Sequence, residues 1–379
     1  MKTEEIVKNE GIDFGLFVII AVLAVAGTIM IISSSSAYAY YYLSGDTYHF
    51  LRKQLIWLAL GSIAMLAGIR MNISKLKNYS FALYMISVFL LVLVLHPQIG
   101  QKYNDARRWF SFMNQSFQPS ELYKISLILF LSARLSWDKH RPDTFGKFCV
   151  YFLFIMIPVG LIMMQPHISA SVLIILISFT VIFYAGAKIR YYIASLVILI
   201  PLMIFILKFW EYARIRVTTF LDSGGSLTGD KFQITQSLYA ISSGGITGVG
   251  PGRSLQKFLY LPEPYNDFIF SIFSEEFGFI GVIVLCGLFV AFMIKGYLIS
   301  KNVCDRFMSY ASFGIVTTVM FQFIINIAVV TDTIPVTGMP LPFITYGGSS
   351  FVLLMGQMGM LLNISQYRES KGLVRKMRS

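Results

Sequence analysis

Charge is what this 379-residue chain has least of. Only 13% of its residues are Asp, Glu, Lys or Arg, roughly half of what a water-soluble domain carries, which excludes a soluble globule. Cysteine and histidine are as sparse, at three and four residues. Cys149, Cys286 and Cys304 show no metal-ligand spacing, so they read as inert thiols rather than as a zinc site. The glycine-rich run 242–253 lacks a preceding strand and contains Pro251, which excludes a dinucleotide fingerprint or a P-loop. The net charge of +12 calls for no nucleic acid, because basic loops beside anionic lipid account for it.

What is there in quantity is apolar surface, 56% of all residues. Ten runs are long enough to cross about 30 Å of hydrocarbon: 14–32, 54–69, 79–95, 120–135, 148–164, 168–186, 192–207, 268–294, 307–330 and 350–364. They are continuous rather than alternating, which rules out a β-barrel. The first run lacks a small-residue cleavage site and reads as a retained span. The expectation is an all-α polytopic membrane protein, one domain over 1–379, with ten transmembrane helices and a large extracytoplasmic loop, 208–267, between helices 7 and 8. The basic tail 367–379, with Arg368, Lys371, Arg375, Lys376 and Arg378, places both termini in the cytoplasm by the excess of Lys and Arg on that side.

Several stretches carry possible chemistry. Ser33 to Ser36 should close the first span, and the tyrosines Tyr38 and Tyr40 to Tyr42 behind it read as an interfacial belt. Arg107 and Arg108 beside Trp109 suit either bidentate contact with phosphate or anchoring at the membrane surface. Glu121 and Lys124 share a helix face, and their pairing suits either structure or ligand contact. His167 lies on a tight outer turn, where a lone histidine is weak evidence for a ligand. The long seventh connection should hold a short helix over 232–241, then Arg253 and Lys257 on the side of Asp267. Three prolines and three glycines in 334–350 forbid a regular helix, so that segment must be protein-buried or line a wet cavity. Asp267, where this polar connection meets the eighth span, is either a helix cap or a functional carboxylate, since charge at such a boundary is costly.

Ala106-Arg107-Arg108-Trp109, Gln118-Pro119-Ser120-Glu121 with Lys124, Leu261-Pro262-Glu263-Pro264 with Asp267-Phe268-Ile269-Phe270, and 335–350 together resemble the SEDS family of shape, elongation, division and sporulation proteins. The resemblance is stronger to the FtsW and SpoVE branch than to RodA. It implies a bacterial plasma-membrane peptidoglycan glycosyltransferase that polymerises lipid II, the undecaprenyl-pyrophosphate-linked disaccharide peptide, beside a class B penicillin-binding protein. Asp267 is then the essential acid and general base, while Arg108, Trp109, Glu121 and Lys124 fall on the other motif residues. Arg108, Arg253, Lys257 or a divalent cation, Mg²⁺ or Mn²⁺, would meet the charge on the departing pyrophosphate. The sequence departs from the family at Asp105, His167, Asn266 and Thr345. A lipid II flippase using Glu121, Lys124, Glu275 and Glu276, and a non-catalytic scaffold, are the alternatives. The orientation is checked directly: a reporter fused after Gly225 should be extracytoplasmic, and one after Lys371 cytoplasmic.

Overall fold

The computed structural model describes residues 11–103, 106–112, 115–221 and 229–367. Asp105, Gly225 and the basic tail from 368 onward lie outside the described residues. The elements in order are α1 (Phe14–Tyr42), α2 (His49–Arg70), α3 (Ile73–Leu93), β1 (Gln101–Tyr103), β2 (Ala106–Phe112), β3 (Gln115–Phe117), α4 (Pro119–Leu135), α5 (Phe145–Met163) and α6 (Ile168–Tyr184). They continue as α7 (Ile189–Phe209), α8 (Glu211–Leu221), α9 (Asp230–Ser243), α10 (Ile269–Asn302), α11 (Arg306–Val330) and α12 (Gly348–Ile364).

Each apolar run predicted from sequence coincides with a helix, and eight of the helices are long and apolar enough to cross a bilayer. The other two, α4 and α6, have 17 residues each. α4 is almost wholly buried among the longer helices, whereas α6 is apolar but short. The most lipid-like surface belongs to α7, where Ile193, Val197, Ile200 and Ile204 are exposed. Buried side chains form two clusters, one built on α1, α2, α10, α11 and α12, the other on α4, α5 and α6 with Tyr84, Tyr191 and Met339.

Four expectations need correction. The chain is not purely helical: β1, β2 and β3 form a three-stranded antiparallel sheet in that order. α1 does not end at the serines but runs on to Tyr42, because Ser34 and Ser35 donate back to the carbonyls of Met30 and Ile31 at 2.7 and 2.6 Å and so satisfy their hydroxyls within the helix. The seventh connection opens on a second helix, α8, that the sequence reading left as loop, while the predicted helix over 232–241 lies inside α9. Finally, α10 is broken at Gly278, whose φ of 62° and ψ of −165° are non-helical.

That break explains the glycine-rich run. Val249 and Gly250 donate to the carbonyls of Glu275 and Glu276 at 3.0 and 3.1 Å, and Phe279 and Ile280 donate to those of Gly245 and Ile246 at 2.9 and 3.1 Å. The loop thus caps both cut ends of the helix, satisfying groups that lipid cannot. It must come close to do so: a Cβ on Gly248 would lie 2.2 Å from the Glu276 carbonyl oxygen. Gly248 also has φ +82°, a conformation L side chains rarely adopt. Gly248→Ala is therefore expected to destabilise the fold by at least ~1–3 kcal/mol, read as a fall in Tm of the detergent-solubilised protein.

Candidate functional site

Asp267 lies just before α10, but it does not cap that helix. The cap position falls on Phe268, which makes no side-chain cap hydrogen bond. The carboxylate is partly buried, and on one side it meets Gly338, where a Cβ would stand 3.3 Å from Oδ2. Burial, reinforced by the neighbouring carboxylate of Glu263, pushes its pKa up from 3.8 to about 6 against the opposing pull of Arg216 and Arg108. Desolvation disfavours the ionised form and the guanidinium groups only partly restore it.

Those two arginines arrive from different parts of the chain. Arg108, on β2, donates from Nε to the carbonyl of Gln165 at 2.9 Å and from Nη2 to that of Pro166, which seats it on the α5–α6 turn. Arg216, on α8, donates from Nη1 to the Val336 carbonyl at 2.6 Å and lies 3.8 Å from Asp230 on α9. It also lines a cavity of about 260 Å³ with Lys231 and Asp332. His167 stands in the same field. Burial, then Arg108, Lys124 and Arg216, lowers its pKa from 6.5 to about 3, so the ring is neutral at ordinary pH. Its Nδ1 lies 3.2 Å from the Gln118 amide nitrogen. Ser169, two residues on, donates to the Thr337 carbonyl, joining the start of α6 to the segment 334–347.

Within the Arg107-Arg108-Trp109 cluster, Trp109 pairs with Gln101 and Arg107 with Lys102, so Arg108 is the extra residue at a register shift between β1 and β2, and it is Arg108 that reaches the α5–α6 turn. Glu121 and Lys124 do pair, at 2.7 Å, with Lys124 only 3% exposed. They line a small cavity of about 40 Å³ walled by Pro340, Thr345 and Ser350. Arg253 and Lys257 part company with the expectation that they join Asp267. Lys257 is buried, its ammonium donating to Glu276 at 3.0 Å and to Ser33 at 3.2 Å, and Arg253 is exposed on the turn against broken α10. Neither is among the charges that shift Asp267. The glycine loop, by seating itself on α10, carries both cations away. Glu275 is likewise engaged, accepting from the Leu255 amide at 2.8 Å and from the Ser254 hydroxyl.

Two site residues escaped the sequence reading. Arg216 looked like one more basic residue in a long connection. Asn326 is a buried amide within an apolar helix, donating to the carbonyls of Asp267 and Met339 at 2.8 and 2.7 Å; a polar residue at such depth was itself the missed signal. Among the described residues no group of three or more His, Cys, Asp or Glu is placed to hold a metal ion.

These features define a polytopic helical membrane protein whose irregular connections converge on one carboxylate at the head of a span. Residues 14–370 match the FTSW_RODA_SPOVE family, described as cell cycle protein, and the chain belongs to that family, the SEDS proteins, on its FtsW/SpoVE branch. It is 38% identical over 361 residues to stage V sporulation protein E of Bacillus subtilis strain 168, covering 95% of this chain and 98% of that protein. It is 34% identical over 354 residues to the probable peptidoglycan glycosyltransferase FtsW of Trichlorobacter lovleyi, covering 93% of each. Among solved structures, a chain from a study of how a peptidoglycan synthase complex coordinates polymerization and crosslinking matches with a TM-score of 0.79 at 26% identity, over 94% of this chain and 99% of that one. The rod shape determining protein RodA of Thermus thermophilus shares the fold, with a TM-score of 0.70 at 24% identity, over 95% and 98%.

The state of His167 is open to measurement. A folded pKa below the unfolded one means that the unfolded chain binds more protons between about 3 and 6.5. Stability from the neutral ring is thus complete above pH 6.5 and lost as pH falls toward 3. His167→Gln should therefore gain in Tm relative to wild type as pH is lowered from 7 to 4, in paired thermal scans.

Proposed function

We propose that this protein is a peptidoglycan glycosyltransferase that polymerises lipid II, with Asp267 as the general base. The observation that carries the reading is the Asp267 carboxylate itself, partly desolvated, raised to about 6 and flanked by Arg108 and Arg216. A base of that pKa is ionised at neutral pH yet more basic than an exposed aspartate, which suits proton abstraction there. In the reaction, Asp267 takes the proton of an acceptor sugar hydroxyl as the hydroxyl oxygen attacks the donor's anomeric carbon. The bond from that carbon to the lipid pyrophosphate breaks, and the pyrophosphate leaves with the electron pair. One displacement converts an α-linked donor into a β-linked glycan. Arg108 and Arg216 are the cations that would offset the growing negative charge; Arg108 keeps the role expected of it, and Arg216 takes the one expected of Arg253 and Lys257.

Mg²⁺ or Mn²⁺ would be held chiefly by the donor's pyrophosphate oxygens, since the described residues offer no three-ligand cage; its contribution would be to neutralise the leaving group. The proposed topology has ten spans, the connection between α7 and α10 outside and both termini cytoplasmic. The proposed partner is a class B penicillin-binding protein, supported by the likeness to a chain of a peptidoglycan synthase complex. The flippase alternative loses two of its residues, because Glu275 and Glu276 are engaged in tying the loop to α10.

Purified protein with its partner, supplied with lipid II, should make glycan, and Asp267→Asn should reduce the rate by on the order of 10² to 10⁴. Wild-type rate should rise with pH through about 6 as the base ionises. A carboxylate whose pKa is raised on folding lends stability below its unfolded value and loses it as pH climbs through the folded one. Asp267→Asn should accordingly match or exceed wild type in Tm at pH 7. Near wild-type synthesis by this variant would refute the assignment.

A further inference from the structure

The backbone that carries Asp267 is held by its carbonyl groups. Tyr346 N donates to Tyr265 O at 3.1 Å, Thr345 Oγ1 to Asn266 O at 3.4 Å, and Asn326 Nδ2 to Asp267 O at 2.8 Å. Three consecutive residues are thus tied to α11 and to the segment that precedes α12. The Asn326 nitrogen also donates to Met339 O at 2.7 Å, and Met339 follows Gly338, the residue that faces the Asp267 carboxylate. Asn326 is 1% exposed. Its nitrogen makes both hydrogen bonds while its Oδ1 is buried without a hydrogen-bond partner among the described residues, so the amide is held at this depth at a desolvation cost. Both of its acceptors are carbonyl oxygens, so only an NH₂ group, with two N–H donors, can face them at once.

We propose that Asn326 is a positioning residue for the glycosyl transfer, its amide strapping the Asp267 backbone to Met339 and so fixing the carboxylate against the bare face of Gly338. The inference rests on the functional reading above. Asn326 reaches the backbone of Asp267 rather than its carboxylate, so it acts through placement alone. Cutting the strap leaves the base chemically intact and the substrate's lipid and pyrophosphate contacts in place. The loss therefore falls on turnover rather than on binding, and a displacement of about 1 Å suffices for roughly 100-fold. The isosteric Asn326→Asp sets a carboxylate against two carbonyls and cannot donate when ionised, so it should fail as badly as Asn326→Ala. Asn326→Gln restores both donors on a longer arm.

The test compares wild type, Asn326→Ala, Asn326→Asp, Asn326→Gln and Asp267→Asn, each purified with the class B partner and matched for folded protein by size exclusion. Initial rates of lipid II polymerisation are measured against lipid II concentration. The expected result is a fall in kcat of about 100-fold for Ala and Asp with KM within about threefold of wild type, and a kcat for Gln at least about tenfold above that of Ala. A kcat for Asn326→Ala within about threefold of wild type, while Asp267→Asn is inactive, overturns the strap. Equal losses in the Ala and Gln variants also overturn it, since the donors would then not matter. An active Asp267→Asn instead removes the functional reading, and the role of the strap with it.

Discussion

Buried backbone has to find its hydrogen bonds inside the protein, because an unpaired N–H or C=O removed from water costs free energy. Two irregular segments, 242–268 and 334–347, obey that constraint by spending their bonds on helices and on each other. The first caps the two cut ends of α10. The second receives Arg216 at Val336, Ser169 at Thr337 and Asn326 at Met339. It returns donors to Tyr265 and Asn266 through Tyr346 and Thr345. The candidate site is where these obligations coincide, so the same bonds that satisfy the loops also place Asp267 and Arg216.

Electrostatics pull in one direction for two different groups. Burial disfavours charge on both Asp267 and His167, leaving the aspartate more basic than usual and the histidine unable to protonate near neutrality. The arginines divide the two cases: they favour the charged carboxylate and oppose a charged imidazole. The same two arginines thus act on both groups, easing the ionisation of Asp267, which Glu263 opposes, and helping to keep His167 neutral. His167, whose Nδ1 lies 3.2 Å from the Gln118 amide nitrogen, adds no charge to this part of the molecule.

Much of this was legible in the sequence because membranes impose strong patterns. Continuous apolar runs located the helices, and the motifs around Arg108 and Asp267 pointed to two groups that act on one another in the fold. What stayed hidden depended on three-dimensional closure. Nothing local says that Gly278 breaks α10, because an isolated glycine in an apolar run is ordinary and only the arriving loop makes its geometry necessary. Nothing local says that Lys257 pairs with Glu276 rather than serving Asp267, since nearness to Asp267 in the chain suggests the opposite. The register shift that sets Arg108 apart from Arg107 and Trp109 is similarly a matter of strand pairing, which short loops do not advertise. Arg216 and Asn326 were missed for opposite reasons, the first common for its surroundings and the second rare but unremarked.

The junction of the glycine-rich loop with α10 has a consequence for how the molecule loosens. Glycine surrenders more conformational freedom on ordering than any other residue, so this segment is held only by what it caps. The amides of Val249, Gly250, Phe279 and Ile280 form reciprocal bonds across the break, and none of the four can be released without weakening the others. They constitute a single opening unit for hydrogen exchange, one that includes part of a span and part of what resembles a linker. A stretch composed like the most flexible region of the chain is thus bound to the lifetime of one of its longest helices.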